Sequence, residues 1–94
     1  MKINLNQKEY NFEFKFKQLV ELEKVHGVQL EDVETFVKKL SNTSIIGALG
    51  LGMEVSEVNE ILSGGSFEDI KAILSAFDSE VSRYINPNLQ SQTN

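Results

Sequence analysis

Lys2-Ile3-Asn4-Leu5-Asn6-Gln7-Lys8-Glu9-Tyr10-Asn11-Phe12-Glu13-Phe14 decides how this chain folds. Polar and apolar residues alternate from Lys2 to Asn6 and again from Glu9 to Phe14, with the polar break Asn6-Gln7-Lys8 between them. Period-two alternation on both sides of a tight turn marks a β-hairpin with one buried face. Ile3 and Leu5 belong on that face, with Tyr10, Phe12 and Phe14 across from them. A lone hairpin is barely stable in water, so its apolar face has to dock on the rest of the chain.

The next segment is helical. Phe16, Leu19, Val20, Leu22 and Val25 recur at steps of three and four, the spacing of an apolar helix stripe. Gly27 is the expected stop, since glycine enters the left-handed cap conformation at little cost. His26 falls in the last turn, near the negative end of the helix dipole. With no second histidine and no cysteine in the chain, it reads as a capping residue and not as a ligand. A second helix is expected from near Leu30, with Leu30, Val33, Phe36, Val37 and Leu40 as its stripe. Its acidic residues Glu31, Asp32 and Glu34 come early and Lys38 and Lys39 late, as the dipole prefers.

Ser41-Asn42-Thr43-Ser44 then interrupts the pattern and supplies N-cap candidates. Ile45-Ile46-Gly47-Ala48-Leu49-Gly50-Leu51-Gly52-Met53 is apolar almost all round. It suits either a short helix buried on several sides or an irregular loop that orders on binding. Its glycine spacing, G-x-x-G-x-G, is not the dinucleotide fingerprint and no Gly-Lys-Ser/Thr step accompanies it, so the glycines are assigned to packing or a hinge. Val55, Val58, Ile61 and Leu62 mark another short helix, stopped at Ser63-Gly64-Gly65. Ser66 opens the last helix, with Asp69 three residues on as an imperfect capping box. Its stripe runs through Phe67, Ile70, Ile73, Leu74, Phe77, Val81, Tyr84 and Ile85, and Asn86-Pro87 ends it. The expected fold is therefore α+β and mostly α, an N-terminal β-hairpin packed on a small bundle of four to five helices. One globular domain spans 1–86, with the hairpin over 2–15 and helices over 16–85, and 87–94 is a flexible polar tail.

Composition narrows the chemistry. The absence of cysteine excludes disulfides, thiolate nucleophiles and cysteine-ligated zinc. A single histidine leaves no multi-histidine metal site and no Ser–His–Asp arrangement that can be argued. Glu54, Glu57 and Glu60, with Asp78 and Glu80, fall on faces that the periodicity assigns to solvent, whereas acid–base work needs a partly buried carboxylate. The expectation is a non-enzyme with no cofactor and no metal. A net charge of -5 repels phosphate backbones, so nucleic acid is not an expected partner. No apolar run approaches the roughly 20 residues of a membrane span, and the opening lacks the apolar stretch of a signal peptide. A cytoplasmic protein without membrane contact is expected, its partner another protein.

Lys2 to Phe16, followed by Leu19, Leu22 and Gly27, resembles the tail assembly chaperones of long-tailed (siphovirus-type) phages and prophages of Gram-positive bacteria. Those proteins open with a short hairpin that runs directly into a helix with a Leu-x-x-Leu-acidic pattern, and Leu19-Val20-Glu21-Leu22-Glu23 is similar to it. The Ile45–Met53 stretch, the Ser63–Ser66 break and the Phe67–Phe77 segment fall where the family's later helices lie. One departure concerns the turn. The family usually has Asn-Gly, the dipeptide best suited to a type I′ turn, and this chain has Asn6-Gln7. Glutamine tolerates positive φ poorly, so a longer turn that takes in Lys8 is expected.

The resemblance implies a chaperone that binds the tape-measure protein and keeps it soluble until tail-tube subunits polymerise around it. It also implies recruitment of the tail-tube protein through a longer, frameshifted form, self-association into spiral arrays, and absence from the mature virion. Ile45, Ile46, Leu49, Leu51 and Met53 are the candidate partner surface, with a core role for each as the competing reading. Two other functions fit the residues: a small acidic regulatory or inhibitory module, and a minor tail-completion component.

Overall fold

The computed structural model describes residues 1–85; the expected Asn86-Pro87 stop and the tail over 87–94 lie outside the described residues. The chain is α+β, as expected. Strands β1 (Lys2–Leu5) and β2 (Lys8–Asn11) precede helices α1 (Phe16–His26), α2 (Val33–Lys38), α3 (Thr43–Leu51), α4 (Val55–Gly64) and α5 (Phe67–Ile85). Short 3-10 turns at Leu30–Asp32 and Leu40–Asn42 lead into α2 and α3.

The strands pair antiparallel, Lys2 opposite Asn11, Ile3 opposite Tyr10, Asn4 opposite Glu9 and Leu5 opposite Lys8. Lys8 is therefore a strand residue, which corrects the longer turn expected from Asn6-Gln7. The loop has two residues, both left-handed, Asn6 at φ 51° and Gln7 at φ 68°. A two-residue loop of this kind matches the twist of the strands, and that preference outweighs the strain on Gln7. Alternation carries past the last ladder pair. Met1 donates its amino group to the Phe12 carbonyl, and the Phe12 N–H donates to the Met1 carbonyl, both at 2.7 Å. Ile3, Leu5, Phe12 and Phe14 are all buried.

The hairpin and the residues that follow it dock on the helices through packing and through backbone hydrogen bonds. β1 lies along α5. The Glu13 N–H donates to the carbonyl of Gly50 at 2.9 Å, and the Phe14 N–H donates to Glu80 Oε1 at 3.3 Å. The Phe14 ring meets Phe77 of α5 edge to face, with centroids 4.8 Å apart and planes at 79°. The ion pairs Lys2–Glu9, Glu13–Lys15 and Glu68–Lys71, at 3.6 to 4.0 Å, are all exposed and contribute little. Cohesion comes from the apolar core that runs from the hairpin through α3 to α5.

α3 sits in the middle of this core, against α1, α4 and α5. Over 45–51 the stretch is thus a helix and not an irregular loop, buried on several sides, with Met53 beyond its Gly52 cap, and its three glycines have separate reasons. A Cβ on Gly47 would meet Val58 Cγ1 at 3.0 Å and Ile73 Cδ1 at 3.2 Å. A Cβ on Gly50 would overlap the Phe12 ring. Gly52 caps the helix in the left-handed region, at φ 70°. Gly27 does the same for α1, at φ 68°.

The second helix is shorter than its periodicity implies. Only Val33–Lys38 is α-helical, and Leu30 and Leu40 are exposed and not part of a buried stripe. Lys39 is extended, at ψ 120°, and breaks the helix there. The Asn42 side-chain amide donates to the Phe36 carbonyl at 2.9 Å. Asn42 thus stands at the N-cap position of α3 but spends its side chain on the end of α2.

Candidate functional site

The polar residues that could carry chemistry are dispersed. His26 is the exposed last residue of α1. Glu54, Glu57 and Glu60 are exposed on α4, where Glu57 accepts the Glu54 N–H at 3.1 Å and closes a capping box. Asp78 is exposed, while Glu80 is half-buried and holds the Phe14 backbone. Asp69 is buried and accepts from two backbone N–H groups, Asn6 and Ser66. Each partly buried carboxylate is thus occupied with the chain's own backbone. Among the described residues, no group of three or more His, Asp or Glu side chains is arranged to hold a metal ion. No described helix is long and apolar enough to cross a membrane.

The 45–53 residues separate into two sets. Ile46 is fully enclosed and offers no surface. Ile45, Leu49, Leu51 and Met53 are half-buried and packed against the core. Leu49 and Met53 reach a shallow groove whose other wall is Lys17, Gln18 and Glu21 of α1.

A more apolar surface lies on another side of α1. Phe16, Leu19 and Val20 form one wall of a groove of about 240 Å³, and Val28, Leu30 and Val33 form the other. Phe16 is 65% exposed and Leu30 53%, so two large side chains stand open to solvent at one place. Glu23 is the single charged residue lining it. A second cleft, between α2 and α5, has Phe77 and Val81 on its floor, but both belong to the buried core. Of these surfaces, the Phe16–Leu30 groove is the one lined by large apolar side chains more than half exposed, which in a small protein marks a place for a partner.

Periodicity places Phe16, Val25 and Leu30 with the core, and the structure does not. The sequence carries a signal against that placement. At about 100° per residue, Phe16 and Val25 each fall about 90° from the line between the buried Leu19 and Leu22, on opposite sides. A stripe that wide exceeds what one docking face covers, and both residues are exposed. For Leu30 no comparable signal exists, because its exposure depends on where the chain leads after Gly27.

No protein-family model, no curated protein and no solved structure matches this chain.

Proposed function

We propose that this chain is a non-enzymatic phage tail assembly chaperone. It binds the tape-measure protein, keeps it soluble in the host bacterial cytoplasm, and leaves before the virion is complete. A longer, frameshifted form brings in tail-tube subunits, and the short form self-associates. The observation that carries the reading is the Phe16–Leu30 groove, where Phe16 and Leu30 present apolar surface to solvent. Tape-measure proteins are long and helical, and an amphipathic helix laid in an apolar groove is a common mode of peptide recognition. The resemblance of the hairpin and first helix to the chaperone family supports the same reading.

Co-expression with a tape-measure protein tests it. The expected result is a soluble tape-measure protein that elutes with this chain, and a purified virion whose mass spectrum lacks it. A tape-measure protein that stays insoluble, with nothing co-purifying, would instead favour an acidic regulatory module.

A further inference from the structure

The Phe16–Leu30 groove has a length, a floor and a charge, and together they describe an occupant. Its α1 wall runs from Phe16 to Glu23, a rise of about 10 Å, which is two helical turns. A partner helix laid along it presents residues i, i+3 or i+4, and i+7 over the same span. Apart from Val28, in the 27–29 linker, the apolar side chains of both walls stand on helical or 3-10 backbone, and neither described strand lines the groove, so no strand edge is available to a β-strand partner. The single ionisable group in the lining is the carboxylate of Glu23. Lys17, on the same helix, faces the opposite groove beside Leu49 and Met53. On the second wall, exposed Glu31 follows Leu30 in the chain, whereas Asp32 and Glu34 line clefts on other faces.

From this we infer that the groove takes two turns of an amphipathic helix with a Lys or Arg flanking its apolar stripe, placed to meet Glu23. The basic residue sets orientation and discriminates against acidic helices, while the apolar stripe supplies the affinity. The proposal rests on the chaperone reading for the identity of the natural partner, a tape-measure segment, but the recognition chemistry can be tested apart from it.

Two synthetic helical peptides serve as probes, identical except for Lys or Glu beside a two-turn leucine stripe. Calorimetry against the whole protein is expected to show binding of the Lys peptide and binding of the Glu peptide weaker by about tenfold. Phe16→Glu and Leu30→Glu, both at exposed positions, should abolish binding while circular dichroism stays unchanged. Glu23→Lys should reverse the preference. No binding of the Lys peptide, equal binding of the two, or an unchanged preference in Glu23→Lys overturns the proposal. So does a concentration-dependent dimer that Phe16→Glu dissolves, since a second copy would then be the occupant. Tape-measure binding separates the two levels. If the wild type solubilises the tape-measure protein and Leu30→Glu does so equally well, the groove assignment fails and the chaperone reading survives. If the Lys peptide binds and the tape-measure protein does not, the reverse holds.

Discussion

Asp69, at the start of α5, holds the turn of the N-terminal hairpin: its Oδ1 accepts the backbone N–H of Asn6 at 3.1 Å, across 63 residues of chain. Its Oδ2 accepts the Ser66 N–H at 3.0 Å and caps the helix. One carboxylate thus joins the first turn of the fold to the last helix. Gly65 leaves the room for it, since a Cβ there would overlap the Asp69 carboxylate.

Removing that carboxylate should loosen both ends at once. Asp69→Ala leaves two backbone donors without their acceptor, and the expected cost is about 2 kcal/mol. Asp69→Asn keeps one carbonyl oxygen and should lose about half as much. Urea unfolding measures both, and hydrogen exchange at the Asn6 amide should accelerate in the alanine variant.

The turn itself offers a gain. Gln7 holds φ 68°, a region that costs an L-residue with a Cβ about 1–2 kcal/mol. Glycine relieves this but loses more chain entropy on folding, so Gln7→Gly should stabilise by about 0.5–1 kcal/mol. A rise in thermal midpoint with the hairpin register unchanged by NMR is the expected outcome.

Gly47 and Gly50 should respond differently to the same substitution. At Gly50 an added methyl overlaps the Phe12 ring, which is fully buried and pinned by its backbone bonds to Met1. Gly50→Ala should therefore cost about 3 kcal/mol by overpacking. At Gly47 the neighbours stand at 3.0 and 3.2 Å. Crowding of the stiff Val58 there is offset by about 1 kcal/mol of helix propensity, leaving a loss under about 1 kcal/mol. Denaturation of the two alanine variants side by side checks the difference.

Phe14 and Phe77 should show coupling. Phe14 is fully buried, and Phe14→Ala should cost about 3–4 kcal/mol. The edge-to-face contact between the two rings should appear as about 1 kcal/mol in a double-mutant cycle with Phe14→Leu and Phe77→Leu. A cycle that closes to zero would leave area burial alone as the reason for the pair.

Local pattern carries most of the architecture. Period-two alternation places Ile3, Leu5, Phe12 and Phe14 on one face because side chains alternate along any extended chain, and all four are buried. Gly27 caps α1, as expected, because glycine enters the left-handed region without the cost a Cβ imposes, whereas Gly52, which its spacing assigns to packing or a hinge, caps α3 for the same reason. Asp69 three residues after Ser66 signals a helix start. Its second bond, to Asn6, is not legible in spacing, since a contact across the chain depends on docking.

The hairpin, the Gly27 cap and the existence of α1, α4 and α5 are written in the chain alone, because they depend on φ preferences and on periods of two and 3.6 that act within a few residues. The length of α2 and the choice of helix over loop for 45–51 are not written there. Packing in three dimensions settles which apolar residues are left over. Ile46 lies at the centre and Phe16 and Leu30 stand open, although all three are equally hydrophobic in the pattern. The reason is that burial is a property of packed neighbours. The glycine face of α3 is enclosed because Phe12, Val58 and Ile73 close on it, while the side of α1 that carries Phe16 borders an open groove and leaves that ring 65% exposed.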